Sequence, residues 1–384
     1  MKMKTIVIGM VLLGSVTFCY GDEQKPGANN VAKDAEVFDA IQDRPQNIQN
    51  GTFKRGEIYS KAAPASLDIP RELRNFKIEV LIPSPENIVN CESFGFDVSL
   101  WHGDSSRIIW LEGKYHVWMI DGYNHYRDKI SWVLYLTSED CQNWTAVGRL
   151  PLGPTGSAYD VAIEQPNVVY HNKKFYLFSE GWTSNVKKYG TRFPGIICLQ
   201  ADRPEGPWTQ VGDILLAPEK DNGMSWDSDR LMNPRHVYFK GKWYMYYKAR
   251  GSKEQDWNDT ENGVAIADDI TGPYKKYEGN PLVAGHGHFA FTYKNGVVYI
   301  PFAPSRVLWS EDGVTFSENL LEIENQVPFC GSVYISGNSL FGEGIPPNHP
   351  ANNSYYGFIN RKGNVNGKKV NKMDTIRWSF GDHP

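Results

Sequence analysis

The sequence is poor in three things, and each shortage removes a class of function. Charge imbalance is the first: 40 Lys and Arg stand against 44 Asp and Glu in 384 residues, a net charge of -4. There is no basic field to draw in a phosphate backbone, so nucleic acid is excluded as the natural partner. Cysteine is the second. Of 5 in the chain, Cys91, Cys141, Cys198 and Cys330 are scattered without a CxxC pair, which argues against a zinc knuckle or a redox motif. One or two disulfides and buried free thiols fit that spacing equally well. A long apolar run is the third. The stretch from Ile6 to Val16 falls well short of the roughly 20 residues that cross a bilayer.

That short run reads as an address label instead. Lys2 and Lys4 precede it, and Cys19-Tyr20-Gly21 offers small residues at the two positions a signal peptidase inspects. The expectation is a leader over residues 1–21, cleaved after Gly21, and a periplasmic or secreted protein. A lipid anchor through Cys19 is the weaker alternative, because Phe18 stands where a small residue is wanted.

What the chain has in quantity is aromatic side chains, 13% with 12 Trp and 21 Tyr, together with 36 Gly and 23 Pro. Such a mixture suits many short strands joined by tight turns. A composition of 41% hydrophobic and 22% charged residues excludes wholesale disorder. Residues 22–75 are polar and punctuated by proline, with one weak helical stripe, Val31, Ala35, Phe38 and Ile41. They are expected to form an N-terminal arm, either a loose leader or a dimerising segment that lays this stripe on a second copy.

From Phe76 onward the chain repeats itself. Gly113-Lys114-Tyr115-His116-Val117-Trp118 is echoed by Lys173-Lys174-Phe175-Tyr176-Leu177-Phe178, by Gly241-Lys242-Trp243-Tyr244-Met245-Tyr246 and, more faintly, by Asn295-Gly296-Val297-Val298-Tyr299-Ile300. A second signature follows each echo: Ser138-Glu139-Asp140 with Trp144, Ala201-Asp202 with Trp208, Ala267-Asp268 with Tyr274, and Ser310-Glu311-Asp312-Gly313 with Phe316. The alternation in these segments predicts pleated strands. A multi-strand unit recurring in one order is the sequence form of a propeller blade. Four units are readable, and a fifth is built from Cys330 onward with Tyr355-Tyr356-Gly357-Phe358-Ile359 and Ile376-Arg377-Trp378, closed by the strand Lys77 to Ile82. The expected fold is therefore all-β, a five-bladed β-propeller over residues 76–384. A β-sandwich is the runner-up, but it has no reason to repeat both signatures in order.

The first strand of each propeller blade lines the central axis, so polar residues just before those strands converge on one funnel. The candidates are Trp101, His102 and Asp104 in blade one, Glu164 and Gln165 in blade two, Asp227, Asp229 and Asn233 in blade three, and His286 and His288 in blade four. Asp104 with either Glu164 or His286 supplies a carboxylate and a proton donor, the minimum for general acid–base chemistry. Trp101 and Trp182 are candidate platforms for stacking a sugar. His286 and His288 share a strand face, which makes them candidate ligands for a structural divalent cation on the axis; no other cofactor is required.

At these residues the sequence resembles glycoside hydrolase family 117, the α-1,3-L-neoagarooligosaccharide hydrolases, and more loosely the family 43 propeller glycosidases, over about residues 95–320. His102-Gly103-Asp104-Ser105-Ser106 is similar to a His-Arg-Asp-Pro-Ser motif, and Asn280-Pro281 followed by Gly285-His286-Gly287 to a Gly-His-Glu motif. Thr271-Gly272-Pro273-Tyr274 and Ser310-Glu311-Asp312-Gly313 also look like family segments. The resemblance implies Asp104 as general base and His286 as general acid of an inverting hydrolysis. It implies an exo-acting hydrolase of algal or plant oligosaccharides, those containing anhydrogalactose or galactose favoured. Two positions depart from the pattern: Gly287 stands where the family has glutamate, and Asn233-Pro234 where it has Asp-Pro. Asp227 or Asp229 is the candidate to serve instead at this third acidic position of the family pattern. Two alternatives stay open, a family 43 type arabinosidase or xylosidase using Asp104 and Glu164, and a carbohydrate-binding propeller without catalysis, which Gly287 and Asn233 favour.

Overall fold

Among the described residues four sheets are built on up-and-down meanders, the first with Ile88–Val89 added in parallel to its outer strand. The structure is a computed structural model that describes residues 76–82, 88–89, 102–121, 131–220, 225–255, 259–301, 306–317, 321–322, 355–365 and 368–380. The expected leader, the arm with its stripe, Trp101, Cys91 and Cys330 lie outside the described residues. All of the described residues belong to the unit Pro45–Pro384.

Blade one runs outward from His102–Ser105 through Lys114–Asp121 and Trp132–Ser138 to Trp144–Leu150. Blade two runs from Ala162–His171 through Lys174–Trp182 and Gly195–Ala201 to Thr209–Gln210. Blade three comprises Arg230–Phe239, Lys242–Arg250, Glu261–Ala267 and Lys275–Lys276, and blade four His288–Tyr293, Gly296–Pro301, Arg306–Ser310 and Leu321–Glu322. Among the described residues the one helix is the single turn Val186–Tyr189. The fold is an all-β propeller, and none of the described helices is long and apolar enough to cross a membrane.

The blade count differs from the expectation. Four meander blades are present, and the strands at the two ends of the described chain form a three-stranded sheet instead of a fifth meander. In it Phe76–Ile82 pairs antiparallel with Lys368–Phe380, Phe76 opposite Phe380 and Val80 opposite Ile376, and Tyr355–Val365 covers the other edge of Lys368–Phe380. The pairing of Lys77–Ile82 with the segment around Ile376-Arg377-Trp378 is the one expected; among the described residues this sheet has three strands.

Both repeated signatures lie where tight turns are needed. The first opens the second strand of each blade, after two-residue hairpin turns whose residues take positive φ: Glu112 and Gly113, Asn172 and Lys173, Lys240 and Gly241. Turns of that hand match the right-handed twist of the strands they join. The second signature closes the turn between the third and fourth strands. In blades one and four an aspartate folds it: Asp140 Oδ1 accepts from the Gln142 and Asn143 N–H groups at 2.8 Å each, and Asp312 Oδ1 from Val314 and Thr315 at 2.9 and 2.7 Å. In blades two and three the acid pairs with the lysine that starts the second strand, Asp202 with Lys174 at 3.6 Å and Asp268 with Lys242 at 2.8 Å.

Alternation survives only at the rim. Trp144–Leu150, the outer strand of blade one, alternates buried and exposed residues, whereas seven consecutive residues of Lys174–Trp182 are buried. Strands inside the blades are covered on both faces by neighbouring blades, so the alternation of buried and exposed residues is lost there. The core accordingly lies between blades. Trp118 of blade one meets Phe175 and Trp208 of blade two at 5.9 and 6.1 Å, Phe178 of blade two stacks on His236 of blade three at 3.6 Å, and Tyr246 of blade three meets Tyr299 of blade four at 5.3 Å. Each such buried ring contributes on the order of 1.5–3 kcal/mol, so the blades are held to one another by aromatic packing. Cys141 and Cys198 are buried in it as free thiols.

Candidate functional site

Three inner strands break their pairing register at the same end. The breaks fall between Gly103 and Ser105, between Glu164 and Asn167, and between Met232 and Arg235. The extra residues are Asp104, Gln165-Pro166 and Asn233-Pro234. A bulge bends its strand and turns one side chain away from the regular alternation, and proline is tolerated there because it has no N–H to give to the ladder. Gln165 and Asn233 hold left-handed backbone angles, φ 53° and 55°, a conformation that polar side chains tolerate better than branched ones. Just before the inner strand of blade four the chain turns at Gly287, φ 80°, where a Cβ would stand 2.9 Å from Asn233 Nδ2. The glutamate of the family pattern has no room at Gly287 unless the Asn233 amide moves.

Two arginines from different blades fill the axis beneath these bulges. Arg235 Nη1 donates to the carbonyls of Pro166 and Pro234, both at 3.1 Å, and Nη2 to that of Ser105 at 3.4 Å. Arg107 donates from Nε to Asn167 Oδ1 at 3.2 Å and from Nη2 to the carbonyls of His236 and of Ala290, the latter at 3.1 Å. Both are about 1% exposed or less. Burial, and then the charge of Arg235, pulls the Arg107 guanidinium down to about 9. Burial together with the two guanidinium charges also drives His236 well below the usual imidazole range.

At the edge of the funnel, between blades two and three, a second charged group is buried. Glu164 and Glu180 face each other across the first two strands of blade two. Arg230, the first residue of the inner strand of blade three, donates from Nε to Glu180 Oε1, from Nη2 to Glu180 Oε2 at 2.9 Å, and from the same nitrogen to Glu164 Oε2 at 3.5 Å. Its guanidinium rests on the rings of Trp182 and Phe193, 4.8 and 4.3 Å from their centroids. Burial pushes the Glu180 carboxyl up to about 7; Arg230 opposes this and the charge of Glu164 adds to it. Two buried acids bond to the one guanidinium of Arg230, and the buried Lys248 ammonium also favours the charged form of Glu180. Beside them Arg250 binds Asp229 Oδ2 from Nε and Nη2 at 2.8 and 2.7 Å.

The expected site residues fall into two groups. Asp104 and His286, both partly exposed, and the buried Glu164, Gln165 and Asn233 lie at the bulged end of the inner strands. The Oε1 of Gln165 and the Oδ1 of Asn233 are buried and without a hydrogen-bond partner among the described residues. Asp227 and His288 are engaged elsewhere. Asp227 is spent on Lys276 Nζ at 2.8 Å and the Tyr247 hydroxyl at 3.3 Å, in its own blade. His288 is fully buried, with Nδ1 2.9 Å from Asn262 Oδ1 and its ring stacked on Tyr299 at 5.3 Å. Trp182 is at the edge but carries Arg230 on its ring. His102 is described as backbone in the inner strand of blade one.

Sequence reasoning missed Glu180, Arg230, Arg107 and Arg235. The available signal was a charge inside an otherwise apolar strand, as in Phe175-Tyr176-Leu177-Phe178-Ser179-Glu180 and Asn233-Pro234-Arg235-His236-Val237. A charge in such a place must have a buried partner.

The candidate axial cation does not fit these residues. A hard cation needs six to eight oxygens, at about 2.3–2.6 Å, and the carbonyls nearest the axis already accept from guanidinium groups, which would repel it. His288, one of the two candidate ligands, has its Nδ1 against Asn262 Oδ1 of blade three. Among the described residues no three His, Cys, Asp or Glu side chains are grouped to hold a metal ion.

No family model matches the chain, and no curated protein does. Solved structures do. One is Zg3597, a family 117 glycoside hydrolase produced by the marine bacterium Zobellia galactanivorans, at TM-score 0.59 and 23% identity, covering 80% of this chain and 91% of that one. Sucrose-6-phosphate hydrolase from Lactobacillus gasseri follows at TM-score 0.54 and 12% identity over 74% and 60% of the two chains. Fructan 1-exohydrolase IIa from Cichorium intybus gives TM-score 0.50 and 12% identity over 72% and 56%. At these identities the likeness is one of fold.

Proposed function

We propose that this chain is a glycoside hydrolase, exo-acting and inverting, that releases a terminal sugar from an algal or plant oligosaccharide. In this reading Asp104 activates the attacking water and His286 protonates the leaving oxygen, with Gln165 and Asn233 accepting hydrogen bonds from the hydroxyls of the sugar between them. Galactose- or anhydrogalactose-containing oligosaccharides are the favoured substrates, on the strength of the family 117 resemblance at Asp104 and His286 and of the shared fold. The observation that carries the reading is the convergence of the bulges. Residues more than a hundred positions apart are drawn to one ring, because the carbonyls following Asp104, Gln165 and Asn233 all accept from Arg235.

A second reading has its own support. Glu164 stands at the bulge in the inner strand of blade two, across from Glu180, in the same ring of bulges as Asp104. Glu164 would then replace His286 as the acid, in the manner of the family 43 alternative. Two carboxyl groups acting with inversion stand about 6.5–9.5 Å apart, to leave room for water. The non-catalytic alternative draws on Gly287 and Asn233, which lack the carboxylates of the pattern.

The same proposal includes export of the protein through the leader 1–21, a fifth blade formed by the three-stranded sheet of 76–82, 355–365 and 368–380, and self-association through the arm 22–75. Release of reducing ends from a panel of galactose-, arabinose- and xylose-containing oligosaccharides, followed by the anomeric form of the first product, tests it. Turnover lost in His286→Gln and kept in Glu164→Gln supports the first reading, and the reverse supports the second. Binding without release by the wild-type protein overturns both in favour of a carbohydrate-binding propeller.

A further inference from the structure

Carbonyl oxygens of several blades pointing at one axis repel one another and need a shared positive partner. Here that partner is a side chain of the protein. Arg235 reaches from blade three to the carbonyls of Ser105 in blade one, Pro166 in blade two and Pro234 in its own strand. Each of these residues immediately follows a bulge residue, Asp104, Gln165 or Asn233. A guanidinium suits the task because its donors diverge in one rigid plane. Arg107 makes a second layer, joining Asn167 of blade two, His236 of blade three and Ala290 of blade four.

We propose that Arg235 is a positioning residue of the site and stands in for an axial cation: by fixing the carbonyl behind each bulge it aims Asp104, Gln165 and Asn233 at one point, and the axis holds no metal. The catalytic half of this rests on the hydrolase reading; the metal half does not. The backbone on both sides of a bulge has to be fixed for its side chain to have one direction, and the three carbonyls share a single planar group, so a shift in one blade is felt in the other two. Lysine would keep the charge but could not span three carbonyls from one nitrogen in the same plane.

The test has two arms. In the first, the purified wild-type protein is analysed for calcium, magnesium and zinc and melted with EDTA and with added CaCl2. The expected result is no stoichiometric metal and an unchanged melting temperature. One metal ion per chain, with stability lost on chelation and restored by calcium, would overturn the proposal. In the second, Arg235→Lys and Arg235→Met are assayed on whichever oligosaccharide the wild type cleaves. A displacement of about 1 Å in a catalytic group costs on the order of 100-fold, so Arg235→Lys is expected to lose about that factor in kcat with KM little changed. Wild-type kcat in a folded Arg235→Lys or Arg235→Met protein would overturn the positioning role. A wild-type protein that cleaves nothing defeats the hydrolase reading alone, and the metal arm, which needs no variant to fold, still decides what holds the axis.

Discussion

The two ends of the blades use their polar residues in opposite ways. At the hairpin end, Asp140 and Asp312 bond to backbone two and three residues away, and Asp202 and Asp268 meet lysines of the adjacent strand. Every one of these interactions is made within a single blade and is exposed to water. At the bulged end, Arg230, Arg235, Arg107 and Glu180 are buried and bonded across blades. A polar residue that satisfies its own turn serves the fold. One that is buried and bonded to another blade is costly to keep, and it is at this end that the proposed site lies.

The sharpest way to break this contrast is to make an activity change at one end and look for it at the other. Asp104→Asn is expected to lower turnover by about a thousandfold, within the range for a general base, with an unchanged melting temperature; near-wild-type reducing-end release would remove Asp104 from the chemistry. Arg230→Ala removes the guanidinium to which both buried carboxyls, Glu164 and Glu180, are bonded. It is expected to destabilise the protein by about 3–5 kcal/mol, measured by urea unfolding, whereas Lys242→Ala, at an exposed pair of the hairpin end, should leave the unfolding midpoint close to that of the wild type.

The pH response separates the ends further. Glu180 titrates higher in the folded protein, at about 7, than the 4.5 of an unperturbed glutamate. Its contribution to stability is therefore fullest below 4.5 and is lost as pH rises through 7. Glu180→Gln should flatten that part of the stability curve relative to wild type, by an amount read from unfolding at several pH values. Asp140 and Asp312 go the other way: partial burial opposes it, but the N–H groups of their turns hold both carboxyls below the usual range. Their contribution is present above 3.8 and is lost only in acid. His236, buried neutral between Arg107 and Arg235, also withdraws stability as pH falls below 6.5, in wild type and Glu180→Gln alike. The smallest effect belongs to the hairpin end: Asp312→Ala should cost about 1 kcal/mol and leave kcat and KM unchanged. A change in kcat there would mean that the two ends are coupled.

Legibility in the sequence follows the same division. The repeats were readable because hairpin and aspartate turns are local chemistry: Lys240-Gly241 takes two positive φ angles, and Ser310-Glu311-Asp312 folds on itself. Asp104, Gln165 and Asn233 are candidates because polar residues are expected at the entrance of each inner strand; they lie inside those strands, at the bulges. Their supports could not be read, because the bonds join Arg107 to Ala290 and Arg235 to Ser105, positions with no mark of one another in the chain. Asp227 misled for a related reason. It lies next in sequence to the stretch that enters blade three, yet its ion pair is with Lys276, at the outer edge of that blade. The blade count diverged at the last unit, where two stretches from opposite ends of the described chain supply the strands and no meander repeats.

The pairing of Phe76–Ile82 with Lys368–Phe380 has a consequence for biosynthesis. The partner of this early segment is made only after all four blades, so the nascent chain carries an unzipped edge until then. Such distant pairing is slow to form, and the aromatic strands made in between stay open to holdase chaperones for that whole interval.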